Sequence, residues 1–332
     1  MIKTIHTQLH STLNTQLSTK MKTELSAAIR QLCREKNAII MAHYYQRAEI
    51  QDVADFIGDS LALAQQAAKT EADIIVMCGV HFMAETAKIL CPDKKVLIPD
   101  PTAGCSLADS CRAEDLAAWR AEHPDYLVVS YVNTSAAVKA LTDVVVTSSN
   151  ALKIVNLLPE DRKILFGPDQ NLGRYISEMT GREMALWNGA CHVHSRFSVE
   201  ALIALRKENP GVKVLAHPEC KQVILNLSDV IGSTQALLNH VKQHPEEKRY
   251  IIATESGILH EMQKACPEAE FLPVPPEMTE GVGCHCNECE YMRQNTLEKL
   301  YACLSDETNE VIVSADLAAK ALAPIQKMLN LS

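Results

Sequence analysis

Short apolar runs alternate along the chain with longer stretches in which apolar residues recur every three or four positions. The runs at residues 39–42, 127–129 and 214–216 have the length and composition of buried strands. The stretches at residues 61–68 and 199–205 have the period of helices. Because strands that alternate with helices form parallel sheets covered on both faces, the pattern predicts an α/β fold.

This alternation is organised as a threefold repeat. Three anchor residues, His43, Tyr131 and His217, close the first strand of each copy and lie 88 and 86 residues apart. A hydroxyl residue follows each anchor by 17 positions, next to a helical stretch; these residues are Ser60, Ser148 and Thr234. Each copy continues with two further strands and ends in a loop that contains cysteine. The repeat predicts three αβα units with pseudo-threefold symmetry, each built on a parallel sheet of about four strands.

The repeat also sets the expected division of the chain. We expect an N-terminal extension at residues 1–20, partly disordered, and units at residues 21–122, 123–208 and 209–303. A short strand and a final amphipathic helix within residues 304–332 are expected to pack back onto the first unit.

Composition narrows the class of function. The net charge of −9 argues against a nucleic-acid-binding protein, which needs clustered Lys and Arg. No apolar run reaches the roughly 18 residues of a membrane span, so no membrane association is expected. Twelve cysteines without a secretory signal favour reduced thiols, metal chemistry and a cytoplasmic location.

The cysteine loops carry the chemistry. Cys105 and Cys191 close the first two copies, and the third copy ends in a cluster of Cys284, Cys286 and Cys289. If the units pack around a common axis, one thiolate from each would face a single point. Clusters that transfer electrons normally have four cysteine ligands, so three cysteines predict a catalytic cubane with one open iron. Such an iron is a Lewis acid and suits dehydration of an anionic substrate.

Polar residues near each anchor supply acid–base and binding groups. Helix N-termini bind carboxylate or phosphate, and Ser60 is expected to be the N-cap of its helix. Cys78 is interpreted as a packing residue, Glu255 as part of a polar turn, and the turn at residues 167–173 receives no chemical role.

These motifs resemble those of the quinolinate synthase family, the iron–sulfur enzymes of NAD biosynthesis, over nearly the whole chain. The matching segments are residues 42–45, 57–60, 78–88, 104–107, 131–133, 146–149, 191–194, 216–219, 232–234 and 289–292. The resemblance implies three αβα units arranged as a triangle with a [4Fe-4S] cluster at the centre. It implies condensation of iminoaspartate with dihydroxyacetone phosphate to give quinolinate, phosphate and two waters. L-aspartate oxidase or aspartate dehydrogenase is the expected source of iminoaspartate, and a homodimer is one option for the assembly.

The resemblance also assigns residues. The implied cluster ligands are Cys105, Cys191 and Cys289. The implied substrate shell is His43, Tyr45, Ser60, Tyr131, Asn133, Ser148, His194, His217, Glu219, Ser233 and Thr234. Within this shell we interpret Glu219 as the proton-transfer base, with His217, Tyr45 and Tyr131 as further catalytic groups.

Three alternatives remain open at this point. Repeat spacing favours Cys284 as the third ligand, because it lies 13 residues after Phe271 whereas Cys289 lies 18 residues after it. A zinc-dependent lyase or aldolase would use Cys284, His285, Cys286 and Cys289. An iron–sulfur sensor or electron carrier would need a fourth ligand, for which Cys111 is the candidate.

Overall fold

Three four-stranded parallel sheets form the framework of the protein. The computed structural model describes residues 20–277 and 287–332. The predicted N-terminal extension lies outside the described residues except for residue 20, which begins helix α1 (20–35). The sheets confirm the predicted α/β class and the triplicated αβα architecture. The exact boundaries of the three units stay a prediction.

The first sheet has the strand order β2-β1-β3-β4. Its strands are β1 Ala38–His43, β2 Phe56–Gly58, β3 Ile74–Cys78 and β4 Lys95–Leu97. The helices after α1 are α2 Ala48–Val53, α3 Ser60–Ala67, α4 His81–Leu90, α5 Ser106–Asp109 and α6 Ala113–Glu122. The two further strands that the repeat predicts for the first copy are therefore β3 and β4.

The second sheet repeats this order as β6-β5-β7-β8. Its strands are β5 Tyr126–Tyr131, β6 Val144–Val146, β7 Lys163–Gly167 and β8 Ala185–Leu186. Its helices are α7 Ala136–Lys139, α8 Ala151–Leu157, α9 Gln170–Thr180 and α10 Val199–Glu208, with a 3-10 turn at His194–Arg196. Helix α9 ends at Gly181, whose φ of 69° is a left-handed conformation that glycine adopts readily.

The third sheet has the order β10-β9-β11-β12. Its strands are β9 Lys213–Ala216, β10 Val230–Ile231, β11 Arg249–Ala253 and β12 Glu270–Pro273. Its helices are α11 Gln222–Leu225, α12 Thr234–Gln243 and α13 Ile258–Ala265. A 3-10 turn at Met292–Gln294, α14 Leu297–Asp306 and α15 Ala315–Leu331 complete the described chain.

An aspartate directly before the second strand of each sheet fixes the first strand in the same way three times. Its carboxylate accepts a hydrogen bond from a backbone N–H that lies 15 residues earlier, over 2.7–2.8 Å. Its own N–H donates to the carbonyl of that same earlier residue. The pairs are Asp55 with Ile40, Asp143 with Val128, and Asp229 with Val214. The repeat therefore extends to the hydrogen bonds that set strand register.

Apolar side chains fill both faces of each sheet. On one face of the first sheet, Ile40 and Val76 pack against Ile29 of α1 and Leu300 of α14. Each such leucine or isoleucine stabilises the fold by roughly 1.5–3 kcal/mol when fully buried. The opposite face merges with the core of the second unit into one continuous cluster. The first two units therefore share a core.

The C-terminal segment joins these two units. Val311 N–H donates to Val96 O at 2.8 Å, and Ile98 N–H donates to Asn309 O at 3.2 Å, beside an antiparallel bridge at the edge of β4. The predicted short strand is thus reduced to this bridge. Helix α15 packs against α4 of the first unit and against α7, α8 and β6 of the second. None of the helices within residues 20–277 and 287–332 is long and apolar enough to cross a membrane.

Candidate active site

A cavity with an empty volume of about 700 Å³ lies where loops from the carboxyl ends of the strands in all three units meet. This is the edge at which parallel α/β sheets build their sites. Thiols from all three units line it, and these are Cys105, Cys191 and Cys289. We call the turns that carry these thiols the sulfur wall. Val80, Phe82, Met83, Leu107, Val193 and Met292 add apolar surface.

The three turns of the sulfur wall have the same local structure. The carbonyls of Cys105, Cys191 and Cys289 each accept a hydrogen bond from the N–H four residues later, at 3.0, 2.9 and 3.1 Å. Each cysteine therefore stands at the start of a short helical turn, and Cys105 is the N-cap residue of α5. Burial raises the pKa of the Cys105 and Cys289 thiols, and backbone N–H groups two or three residues later partly oppose this rise. The three segments share a turn despite their different sequences.

Burial determines the charge of these thiols. It raises the pKa of Cys105 to about 12 and that of Cys289 to about 11, and it raises the pKa of Cys191 well above its ordinary value. Without a cation all three sulfurs are neutral thiols at neutral pH. A metal that binds here must displace their protons, which couples its affinity to pH. Three buried sulfurs around one space fit an iron–sulfur cluster better than a hard cation.

The cavity is also lined by polar residues at the end of the first strand of each sheet, and we call this group the polar wall. Its members are His43 and Tyr45, Tyr131 and Asn133, and His217 and Glu219. His43 and Tyr131 are the last residues of β1 and β5, and His217 directly follows β9. Ser60, Ser148, His194 and Thr234 also line the cavity.

Glu219 is the electrostatic centre of the polar wall. Its Oε2 lies 2.7 Å from His194 Nδ1 and 3.5 Å from His217 Nδ1, and Tyr131 donates a hydrogen bond to the carboxylate. Burial works to raise the pKa of Glu219, but His217, His194 and Tyr131 outweigh it and lower the pKa. The group is therefore an ionised carboxylate. His194 Nδ1 also lies 3.2 Å from Cys191 Sγ, so this histidine connects the two walls.

The ligand atoms of Cys191, His194 and Glu219 lie within 4.8 Å of one another, a separation that a metal ion can bridge.

His43 and His217 are held as neutral imidazoles. Burial lowers the pKa of each to about 3. Their Nδ1 atoms accept from the N–H groups of Tyr45 and Glu219, at 3.1 and 3.3 Å. Because Nδ1 accepts in both cases, the proton resides on Nε2. In His217 this Nε2–H donates to Ser148 Oγ at 3.2 Å.

A chain of hydroxyl groups extends from His194 through the polar wall. His194 Nε2 lies 3.0 Å from Thr254 Oγ1, and Tyr45 OH lies 2.9 Å from the same oxygen. Tyr45 OH also lies 2.8 Å from Thr234 Oγ1. These contacts form a continuous path for a proton from Glu219 to the start of α12.

Two of the hydroxyl residues differ from their expected places. Ser60 is the first residue of α3, and the N-cap is Asp59, whose side chain accepts from Ala62 N–H at 3.0 Å. The predicted cap at Ser60 is thus wrong, because the preceding aspartate supplies the acceptor. Ser233 caps α12 by accepting from Ala236 N–H, whereas its neighbour Thr234 lines the cavity.

Two buried side chains, Lys139 and Gln51, donate hydrogen bonds to backbone carbonyls next to residues of the polar wall. Lys139 Nζ donates to the carbonyls of Val132 and Thr134, which flank Asn133. Gln51 occupies the equivalent position in the first unit and donates to Tyr44 O and Gln46 O, at 3.0 and 2.8 Å. Among the described residues, Asn133 Oδ1 has no hydrogen-bond partner although it is buried. It is free to bind a ligand.

Sequence reasoning missed two buried carboxyl groups, Asp169 and Glu255. Burial raises the pKa of each to about 8. Asp169 lies in the turn that received no role, and Glu255, which lines the cavity, was interpreted as a polar turn. Their shared position two residues after the third strand of a sheet is the signal that could have identified them.

Comparison with known proteins agrees with this geometry. The family model described as "Quinolinate synthetase A protein" matches residues 27–330. The chain belongs to the quinolinate synthetase A family. It is 57% identical to the quinolinate synthase of Microcystis aeruginosa over 305 residues, which cover 92% of this chain and 94% of the relative. It is 55% identical to the enzymes of Prochlorococcus marinus and Thermosynechococcus vestitus, covering 92% of this chain and 90% and 95% of those relatives.

Membership of the quinolinate synthetase A family confirms the resemblance seen in the motifs and makes the chain an enzyme. Cys284, His285 and Cys286 lie outside the described residues. Of the candidates for the third ligand and for the zinc site, only Cys289 can therefore be placed, and it lines the cavity. Cys111 packs with Leu116, Val128, Val138 and Leu165 in an apolar cluster. It is not among the described residues that line the cavity, so the described part of the chain does not support Cys111 as the fourth ligand of an electron carrier.

Proposed function

We propose that this protein condenses iminoaspartate with dihydroxyacetone phosphate to give quinolinate, phosphate and two waters, with a [4Fe-4S] cluster as cofactor. The observation that carries the proposal is that both walls line one cavity. One wall presents a thiol from each unit, and the other presents acids, bases and hydroxyls suited to an anionic substrate.

The sulfur wall is the proposed cofactor site, with Cys105, Cys191 and Cys289 as ligands. When bound, a cluster with three cysteine ligands supplies an iron without a protein ligand, which polarises a substrate oxygen and eases the loss of hydroxide. Burial raises the pKa of all three thiols, and each cysteine stands at the start of a helical turn.

The polar wall binds and orients the substrates in this proposal. The hydroxyls of Ser60 and Thr234 stand in the first turns of α3 and α12, where free N–H groups favour carboxylate and phosphate. Ser148 and the unpartnered Oδ1 of Asn133 add an adaptable hydroxyl and an acceptor. His43 Nε2–H donates to an anionic group without adding a charge of its own.

Glu219 is the proposed base. Formation of the pyridine ring requires removal of protons from carbon, and an ionised, buried carboxylate can accept them. The proton can then move to His194 and along Thr254, Tyr45 and Thr234, which are joined by contacts of 2.8–3.0 Å. Tyr131 donates to this carboxylate and His217 accepts from the Glu219 backbone N–H, and these two are the further catalytic groups.

Supply of iminoaspartate must come from an enzyme that oxidises aspartate, for which L-aspartate oxidase and aspartate dehydrogenase are the candidates. A homodimer and a cytoplasmic location stay predictions from the sequence. No nucleic acid or membrane partner is part of the proposal.

The test is anaerobic purification followed by measurement of iron, sulfide and zinc, and of quinolinate formed from the two substrates. We expect iron and sulfide in equal amounts, and quinolinate only when both substrates are present. Zinc without iron would favour the lyase or aldolase alternative and overturn the proposal. A cluster without quinolinate formation would favour a sensor or carrier.

A further inference from the structure

Asp169 and Glu255 are buried carboxyl groups that the proposed reaction does not use. Each stands two residues after the third strand of its sheet, because β7 ends at Gly167 and β11 ends at Ala253. Both side chains are fully buried. The corresponding position in the first unit, two residues after β3, is occupied by the apolar Val80.

Each carboxyl group accepts a hydrogen bond from the backbone of a cysteine in the sulfur wall. Cys191 N–H donates to Asp169 Oδ2 at 2.9 Å, and Cys289 N–H donates to Glu255 Oε1 at 3.0 Å. A carboxyl oxygen can accept such a bond from an amide in either protonation state. The two bonds therefore do not depend on the charge of the acid.

The other oxygen of each carboxyl group accepts hydrogen bonds from the backbone just beyond its own strand. Asp169 Oδ1 accepts from Asn171 and Leu172 N–H, both at 2.9 Å, and thereby caps α9. Glu255 Oε2 accepts from Gly257 N–H at 2.6 Å. Each side chain thus forms a bridge from a rigid sheet to a cysteine turn.

Close packing strengthens the bridge at Cys191. Gln170 N–H donates to Gly189 O at 2.8 Å. A Cβ atom at Gly189 would approach Pro168 O to 2.5 Å, which is closer than real Cβ atoms come, so the loop lies directly on the strand end. The direction of the Cys191 backbone is fixed from both sides.

We propose that Asp169 and Glu255 are positioning residues that orient Cys191 and Cys289 as cluster ligands. Groups that hold a ligand in place determine how tightly a site keeps its metal, even though they do not touch the metal. The inference rests on the proposed function, because it takes Cys191 and Cys289 as ligands. The three turns of the sulfur wall are then supported unequally, because the first unit has Val80 at the position that an acid occupies in the other two units.

The experiment measures the rate at which the anaerobically reconstituted protein loses iron to EDTA. Asp169→Ala and Glu255→Ala remove the acceptor and are expected to lower iron affinity ~10–100-fold, seen as faster release. Asp169→Asn and Glu255→Gln keep an acceptor oxygen and are expected to retain iron like the wild type. Asp100→Asn is the control, because this carboxyl group near the Cys105 loop binds Thr102 and Lys299 rather than a cysteine.

The outcomes separate this inference from the proposed function. Wild-type protein that binds no iron after reconstitution would overturn both. Wild-type protein that keeps iron while both alanine variants keep it equally well would overturn only the positioning role. Asp169→Leu and Glu255→Met fill the same space without an acceptor and repeat the comparison if the alanine variants do not fold. Loss of fold in all four would also count against the inference, because a positioning residue leaves the fold intact.

Discussion

The two walls of the cavity differ in how similar their residues are across the three repeated units. The sulfur wall keeps one residue type and one turn in all three units, with matching hydrogen bonds of 2.9–3.1 Å. The polar wall has a different pair in each unit, from His43 and Tyr45 to His217 and Glu219. A cluster with equivalent ligand sites can be held by identical turns, whereas substrates without symmetry need different groups around them. The repeated strand ends place all these residues at one cavity, and the differences between the units give the polar wall its variety of chemical groups.

The largest expected effect comes from breaking the sulfur wall. Cys191→Ser replaces a soft thiolate by a poor iron ligand, so we expect loss of bound iron and loss of quinolinate formation. Iron analysis after anaerobic reconstitution measures the first and product assay the second. Cys111→Ala is the matched control, because that cysteine lies in an apolar cluster. Full iron content in Cys191→Ser would remove Cys191 from the ligand set.

A substitution in the polar wall is expected to lower turnover without changing the cluster bound at the sulfur wall. Glu219→Gln keeps the shape of the side chain but removes the base, so turnover should fall by about 10²–10⁴-fold while the absorption spectrum of the cluster is unchanged. Near-normal turnover would exclude Glu219 as the base.

Substituting Lys139, which supports the polar wall through hydrogen bonds, should have a smaller effect on turnover. Lys139→Met leaves the carbonyls of Val132 and Thr134 without their donor, which should lower the free energy of unfolding by about 1–3 kcal/mol. The KM of the substrate that Asn133 contacts should rise while iron content stays constant. Lys139→Gln should restore part of both, since Gln51 performs this role in the first unit. Equal KM values for the three proteins would contradict the idea.

The scaffold common to all units should show the smallest effect on chemistry. Asp143→Ala removes the acceptor for Val128 N–H, at a cost of about 1 kcal/mol in the free energy of unfolding. Urea denaturation measures this cost. We expect KM and iron content to stay at wild-type values, and a change in either would show that the strand register influences the site.

The repeat is the reason that so much could be predicted from the sequence. Three copies of the same spacing indicated three sheets, and equivalent loops had to converge if the units were related by symmetry. The placement of Cys105, Cys191 and Cys289 on one cavity follows from that argument together with the family motif.

What the sequence could not show is burial. Asp169 and Glu255 look like ordinary turn residues, because a polar side chain after a strand is usually exposed to solvent. Lys139 lies in a four-residue helix and would normally be read as a surface residue, yet it is fully buried. The predicted cap at Ser60 is wrong, because the hydrogen bond that Asp59 accepts from Ala62 N–H is visible only in the structure.

The order of the three sulfurs along the chain has a consequence for biosynthesis. Cys105 and Cys191 are translated well before Cys289, and α15, which fastens the first two units together, is translated after all of them. A chain that is still being translated therefore has two of these thiols without the third. If the sulfur wall holds the proposed cluster, its third ligand becomes available only after nearly the whole chain has been synthesised.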